Sequence, residues 1–258
     1  MNAKDIVKIT NACKLLKDFC CSKKMNKPVL EAVCVQGKYA YATNTHLLVR
    51  MELDCESKEK LLLRPDMSED VKGDFYDAER VIRDSLSREA AFFKGAINFT
   101  EWKRIFTLAG TQVTDEAKGV WLVKRGSKLM LFSGNVNVQS CFVLAHVTSV
   151  HNDDQVVAAC VNASYLYNIA NLMEKTGCMG FDMSMPLERY KPILLKSDGL
   201  TFVISPIRDE GFESEDCYRD VIKLRDEFLT QVDAPASDEP AQPDGSDGSS
   251  ADDLDFLD

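Results

Sequence analysis

The sequence predicts an α+β fold assembled from repeated strand–helix–three-strand units. Two observations predict it. Helical apolar spacing gives way to short β-branched runs in the same order three times along the chain. Two of the helices also open on the same Asn-x-Ser/Thr signature, at Asn98 and Asn162, 64 residues apart, which is the mark of an internal repeat. A third observation, the charge distribution, predicts that the fold ends in an acidic tail with no core. The 258 residues carry 31 bases and 41 acids, a net charge of −10. Nine of those acids lie in residues 233–258, which hold no Lys or Arg, so the remainder has 32 acids against 31 bases. The tail is rich in Pro, Gly, Ser and Asp and cannot offset its ordering entropy by burial. The body, in a chain that is 45% hydrophobic, can build a core.

In chain order, Ile9, Ala12, Cys13, Leu16 and Phe19 share one face of a helix spanning 6–20. Lys8, Lys14 and Lys17 fall on its sides and back. Strands are expected at 29–35 and 39–42, turned by Gln36-Gly37-Lys38, and a third at 47–53. Lys60 to Arg64 reads as a strand ending at Pro65, and 77–87 as a helix. The second unit has a helix at 101–108, capped by Thr100, then strands at 119–124, 128–133 and 136–146. The third has a helix at 165–173, capped by Ser164, then strands at 180–185, 193–196 and 200–205. An amphipathic helix is expected at 213–231. The tail tip places Leu254, Phe256 and Leu257 among aspartates, either as a linear motif for a partner's pocket or as part of a solvated tail.

Nine cysteines, an odd number with no Cys-x-x-Cys, several in apolar runs, point to a reducing compartment. The sequons at Asn98 and Asn162 then carry no glycosylation meaning. The three histidines lack metal-ligand spacing. No nucleophile–base set, phosphate loop or metal cluster stands out, so neither an enzyme nor a cofactor is expected. No run approaches the roughly 18 apolar residues of a membrane span, and the opening residues lack a signal-peptide core.

The segments Tyr41 to Leu48, Gly73 to Ile82, Val161 to Leu166 and Leu200 to Arg208 resemble, in that order along the chain, segments of the β sliding clamps of bacteria, the processivity subunit of DNA polymerase III. Tyr41-Ala42-Thr43-Asn44-Thr45-His46-Leu47-Leu48 resembles their Ala-Thr-Asp-Gly-His-Arg-Leu motif. Leu200 to Arg208 resembles their Tyr-Val-Val-Met-Pro-Met-Arg-Leu end, and Val161 to Leu166 their Phe-Asn-Val-Ser-Tyr-Val-Leu segment. Gly73 to Ile82 resembles the Gly-Arg-Phe-Pro-Asp-Tyr-Arg-Arg-Val-Leu stretch that closes a clamp domain. Thr45 stands where the motif has Gly, Leu47 where it has Arg, and Ser205 where it has Met.

The resemblance implies DNA-clamp-like domains at 1–92, the first shortened, and 93–210, followed by the helix at 211–232 and the tail at 233–258. It implies a compact processivity factor, of phage or mobile-element type, acting in the cytoplasm of a bacterial or infected cell. Such a protein encircles or holds duplex DNA without reading sequence, which needs cations aimed at phosphates. Lys8, Lys14, Lys17, Lys103, Arg104 and Lys175 are the helix residues placed to do so. It implies a cleft for polymerase and clamp-loader peptides of Gln-x-x-Leu-x-Phe type. Its matching positions are Thr43, Thr45, His46, Leu47, Leu48, Val203, Ser205, Pro206, Ile207 and Arg208. Ring closure from two-domain chains favours three copies. The tail tip is similar to clamp-binding peptides and to the tails of single-stranded-DNA-binding proteins. It is expected to enter this chain's cleft or a neighbour's, or to recruit another replication protein. The competing readings are a clamp-fold adaptor or inhibitor that forms no ring, and a single-stranded-DNA-binding protein. The second is disfavoured because the aromatics do not alternate with bases along strands.

Overall fold

Asn2 starts the first helix. Its side chain accepts the Asp5 N–H, and Asp5 reaches back to the Asn2 N–H, a reciprocal cap that ties down two otherwise unpaired donors. The computed structural model describes residues 2–68, 71–86, 89–113, 119–134, 139–151, 156–188 and 190–207. Arg208, the expected helix at 213–231, and the tail with Leu254, Phe256 and Leu257 lie outside them.

Helix α1 (Ala3–Leu15) is followed by short 3₁₀ turns at Lys17–Phe19, Lys23–Met25 and Pro28–Glu31. Two long strands come next, β1 (Val33–Thr43) and β2 (Leu47–Leu63), then helix α2 (Ala78–Asp84). The second unit is β3 (Ala90–Ala96), α3 (Phe99–Gln112), β4 (Gly119–Arg125), β5 (Lys128–Gly134) and β6 (Gln139–His151). The third is β7 (Val157–Asn162), α4 (Ala163–Lys175), β8 (Gly180–Pro186), β9 (Ile193–Ser197) and β10 (Leu200–Ile204). The strand–helix–three-strand repeat read from the sequence is therefore present twice in full.

The expected caps shift by two residues. Asn98 and Asn162, not Thr100 and Ser164, cap α3 and α4, accepting the N–H of Glu101 and Ser164. The shared Asn-x-Ser/Thr opening is thus a helix-start signal, with Asn supplying the side-chain acceptor.

The strands form one antiparallel order, β1-β2-β10-β9-β8-β3-β6-β5-β4-β7. The leading strands are exchanged between the complete units: β3 lies against β8, and β7 against β4. Helices α3 and α4 pack side by side, with Gly110 against Ala163 and an ion pair between Lys103 and Glu174. One core joins α1, α3 and α4 to the sheet, through Ile9, Leu16, Phe106, Leu166, Ile169 and Phe202 among others. Trp102 is buried there, and its indole N–H donates to the Leu144 carbonyl at 2.7 Å. A smaller core lies on the other face of β1, β2, β9 and β10, where Phe75, Ala78 and Ile82 cover Cys34, Tyr41, Leu48, Leu194 and Val203.

The first unit departs from expectation. Gln36-Gly37-Lys38 does not turn the chain, because β1 runs straight through it. Gly37 takes a positive φ of 57°, and the register moves from Tyr39↔Glu52 to Gly37↔Ser57, so β2 advances five residues while β1 advances two. The surplus bulges out at 53–56. The expected strands at 47–53 and 60–64 are consequently one strand, β2, bent at this bulge.

Candidate functional site: a strand junction beneath a helical strap

Asn44 shapes the link between β1 and β2. Its Oδ1 accepts the N–H groups of His46 at 3.0 Å and Leu47 at 2.8 Å, and Thr43 Oγ1 accepts the Thr45 N–H at 3.0 Å. The resulting tight loop puts Thr45 at φ 80°, in the left-handed region. Asn44 also hydrogen-bonds the half-buried Tyr165 of α4, a bond that opposes the larger upward push of burial on that phenol.

The chain arriving from β10 lies directly alongside. Val203 faces Leu48 and Ile204 faces Leu47 across the β10–β2 ladder, and the Ser205 N–H donates to the His46 carbonyl at 2.8 Å. Two segments more than 150 residues apart in sequence, both singled out as cleft positions, are thus neighbours. Alternation along the strands then sorts them. Thr45 and His46 are exposed, and Ser205, Pro206 and Ile207 are half-buried. Thr43 is buried. Leu47 points into the helix-side core and lines no outer groove. Leu48 and Val203 point outward but are only 4% and 3% exposed, beneath Phe75 and Ile82.

A cluster of polar side chains without any local sequence signature holds this cover down. Glu79 of α2 accepts the Tyr41 hydroxyl at 2.8 Å and the Arg50 guanidinium at 3.0 and 3.1 Å. Arg50 also donates to Thr201 Oγ1 and lies 4.7 Å over the Tyr39 ring, while its Nε has no hydrogen-bond partner among the described residues. Burial alone would raise the Glu79 carboxyl, but the Tyr41 and Arg50 hydrogen bonds outweigh it and hold the group below its usual range. Burial, and next Glu79, push the Tyr41 phenol up. Burial likewise pushes Tyr76 up to about 12, against a hydrogen bond from Thr43. Beyond Arg50 the same face opens into a groove of ≈ 560 Å³, crossed by Thr201, Lys196, Asp182 and Lys94 on successive strands. A periodic reading of side-chain faces could have found this polar row, since each member sits two residues from an outward-facing neighbour.

The six helix cations divide. Lys14, Lys17, Arg104 and Lys175 are exposed. Lys103 is held by Glu174, and Lys8 donates to the Asp54 carbonyl at 2.7 Å, bracing the bulge of β2. Among the described residues no group of three His, Cys, Asp or Glu is placed to hold a metal ion, and no helix is long and apolar enough to cross a membrane.

This architecture, with exchanged leading strands, paired helices on one face and a continuous sheet on the other, is the sliding-clamp fold. Solved bacterial clamps are similar to it in fold. The C. crescentus beta sliding clamp matches with a TM-score of 0.63 at 14% identity, over 78% of this chain and 64% of that one. The Pseudomonas aeruginosa DNA polymerase sliding clamp matches at 0.61 and 14%, over 78% and 65%. The Bartonella birtlesii sliding clamp bound to griselimycin matches at 0.60 and 16%, over 78% and 64%. The chain thus spans less than two thirds of the length of these clamps. No family model and no curated protein sequence matches it.

Proposed function

We propose that the protein is a clamp-like DNA replication accessory factor, which holds duplex DNA on its helical side and recruits partner peptides at the β2–β10 junction. In this reading residues 1–92 are a shortened clamp domain, 93–210 a complete one, and the chain associates with itself. The observation that carries the reading is the pairing of 46–48 with 203–205, which lie in two segments matched independently to the family's cleft. The helical side supports it: residues 2–27 hold seven lysines against two aspartates, although the whole chain is acidic. Lys14, Lys17, Arg104 and Lys175 would meet phosphates, with Lys103 and Lys8 joining only on release from their present partners. Arg208 would line the cleft, and Leu254, Phe256 and Leu257 would recruit a further replication protein. The ion pair at Lys103 and the covered Leu48 and Val203 favour, as a second reading, an adaptor that forms no ring.

Fluorescence anisotropy with a labelled Gln-x-x-Leu-x-Phe peptide tests the reading. Saturable binding with a Kd of about 1–100 μM is expected, weakened about tenfold or more by Ile207→Asp, which leaves a half-buried apolar contact charged. A peptide that does not saturate, or binds Ile207→Asp equally well, overturns the cleft. Retention on circular but not linearised DNA separates encirclement from the adaptor.

A further inference from the structure

Helices α3 and α4 lie antiparallel. Gly110 meets Ala163 at one end of their contact, and Lys103 meets Glu174 at the other. At the first end a Cβ on Gly110 would sit 3.5 Å from the Ala163 Cβ, so the helices approach closely there. At the second end the contact is electrostatic, with Lys103 Nζ donating to Glu174 Oε2. The two side chains are 25% and 39% exposed, so a phosphate approaching the helical side can reach the pair.

This pair runs against the local electrostatics of its helices. Glu174 stands in the last turn of α4, where unpaired carbonyls carry partial negative charge and a cation is the stabilising residue. Lys103 stands in the second turn of α3, toward that helix's positive end. Glu101, the other acid of the two helices, does follow the rule. It lies in the first turn of α3 and accepts the Asn98 side-chain amide at 3.3 Å. A choice made for helix stability would exchange the charges at 103 and 174. Departures from local rules of this kind gather at functional sites.

The surroundings of the pair supply a reason. Arg104 and Lys175, each next in sequence to one of the partners, are exposed. Helices α3 and α4 therefore carry three cations, and Glu174 takes the one between the other two out of use. Lys8 is the contrast. Its partner is the Asp54 carbonyl, a neutral group, so Lys8 keeps its full charge where it stands. Among the described residues, Lys103 is the one helix cation of the six that is paired with a carboxylate.

We infer that Glu174 is an internal stand-in for a DNA phosphate: it occupies Lys103 and keeps that cation off the DNA held by the helical side. The inference rests on the DNA-holding reading proposed above and specifies how strongly that side grips. A phosphate that takes Lys103 must part it from Glu174. The carboxylate is then left unpaired at the negative end of α4, beside a polyanion. That exchange gains little, so Lys103 stays with Glu174, and Arg104 and Lys175 make the contacts on these two helices. Each phosphate neutralised adds to sequence-independent affinity, so withholding one cation keeps the grip weak enough for DNA to move through it.

Binding of labelled duplex DNA to the full chain, followed by anisotropy between about 50 and 200 mM salt, tests this. Glu174→Gln frees Lys103. It is expected to tighten binding about threefold to tenfold at low salt, and to steepen the slope of log affinity against log salt by about 0.9, the mark of one added phosphate contact. Lys103→Gln alone is expected to move the wild-type slope by less than about half that amount. The double variant has the wild-type net charge and is expected to lose the gain. A merely structural role for the pair would leave the slope in place, and circular dichroism checks that each variant is folded. A Glu174→Gln slope equal to that of the wild type overturns the inference. So does a gain that survives in the double variant, since Glu174 would then act by plain repulsion. A Lys103→Gln slope shallower by a full contact overturns it as well, because Lys103 would already be on the DNA. A wild-type chain that binds no DNA overturns the DNA-holding reading and the inference together, whereas unmoved slopes on a chain that binds overturn the inference alone.

Discussion

Thr45 holds a backbone conformation that its side chain disfavours. At φ 80° a β-branched residue is strained by about 1–3 kcal/mol, and the loop keeps it there because Asn44 and Thr43 between them accept three of its backbone N–H groups. The sequence showed a threonine where the resembled motif has glycine, and the backbone has kept the geometry that glycine would ease. Thr45→Gly should therefore stabilise the protein by about 1 kcal/mol after the extra entropy of the unfolded glycine is subtracted. Urea titration reads this, and a loss of stability would show that the Thr45 side chain contributes something the loop needs. At this scale the site was half legible. The adjacency of His46 and Ser205 followed from two motifs. The burial of Leu47 on the helix side follows from strand alternation, to which a motif match is blind. The Arg50–Glu79–Tyr41 cluster had no local signal at all, since its members are 29 and 38 residues apart.

Elements whose signals are local were read well, and those set by distant pairing were not. Helices α3 and α4 announce themselves by an Asn cap and a 3.6-residue apolar period. β1 contains a Gly that looks like a hairpin turn, and only its partner's 17-residue length shows that the chain continues straight. Residues 54–92 were hard to read because their fold depends on a surface built by β2, β9 and β10. The segment 71–86 packs as a strap over that surface, and Gly73 allows it to start. Gly73 has φ 139°, and a Cβ there would lie 2.7 Å from Val29 Cγ2, so it serves both a backbone and a close-approach requirement. Gly73→Ala is expected to cost about 1–3 kcal/mol and to speed hydrogen exchange across 71–86 ahead of the rest of the molecule. Equal loosening of α3 and α4 would instead mean that strap and body unfold as one element.

At the scale of the whole molecule, the cysteines report on a fold that buries neutral groups throughout. Burial lifts the thiols of Cys13 and Cys34 to about 11, and that of Cys141 to about 11 against the opposing pull of Lys128. Cys20 reaches about 12, through burial first and then the nearby Cys13, Cys21 and Asp18. These groups sample α1, both cores and β6, and all eight described cysteines are free. A thiol held protonated is a poor nucleophile and a poor metal ligand, which suits a structural role for these cysteines. The same shifts fix a pH dependence. Below the ordinary thiol value of 9.0 both folded and unfolded chains keep these protons, and the cysteines add no slope. Between about 9 and 11 the unfolded chain ionises while the folded chain cannot, so the unfolded state binds fewer protons and stability falls as pH rises. The urea midpoint should hence drop between about pH 8 and about pH 10.5, with dithionitrobenzoate reactivity of the buried thiols following unfolding rather than preceding it. Replacing Cys13 and Cys34 by alanine should flatten the drop, because each removes a group that resists ionisation only in the folded state. Tyr41 and Tyr76, raised by the same burial, leave a residual slope above about pH 10. A midpoint that holds constant across the range would mean that the thiols ionise in place, and that the cores around α1 and beneath the strap admit water as the structure says they do not.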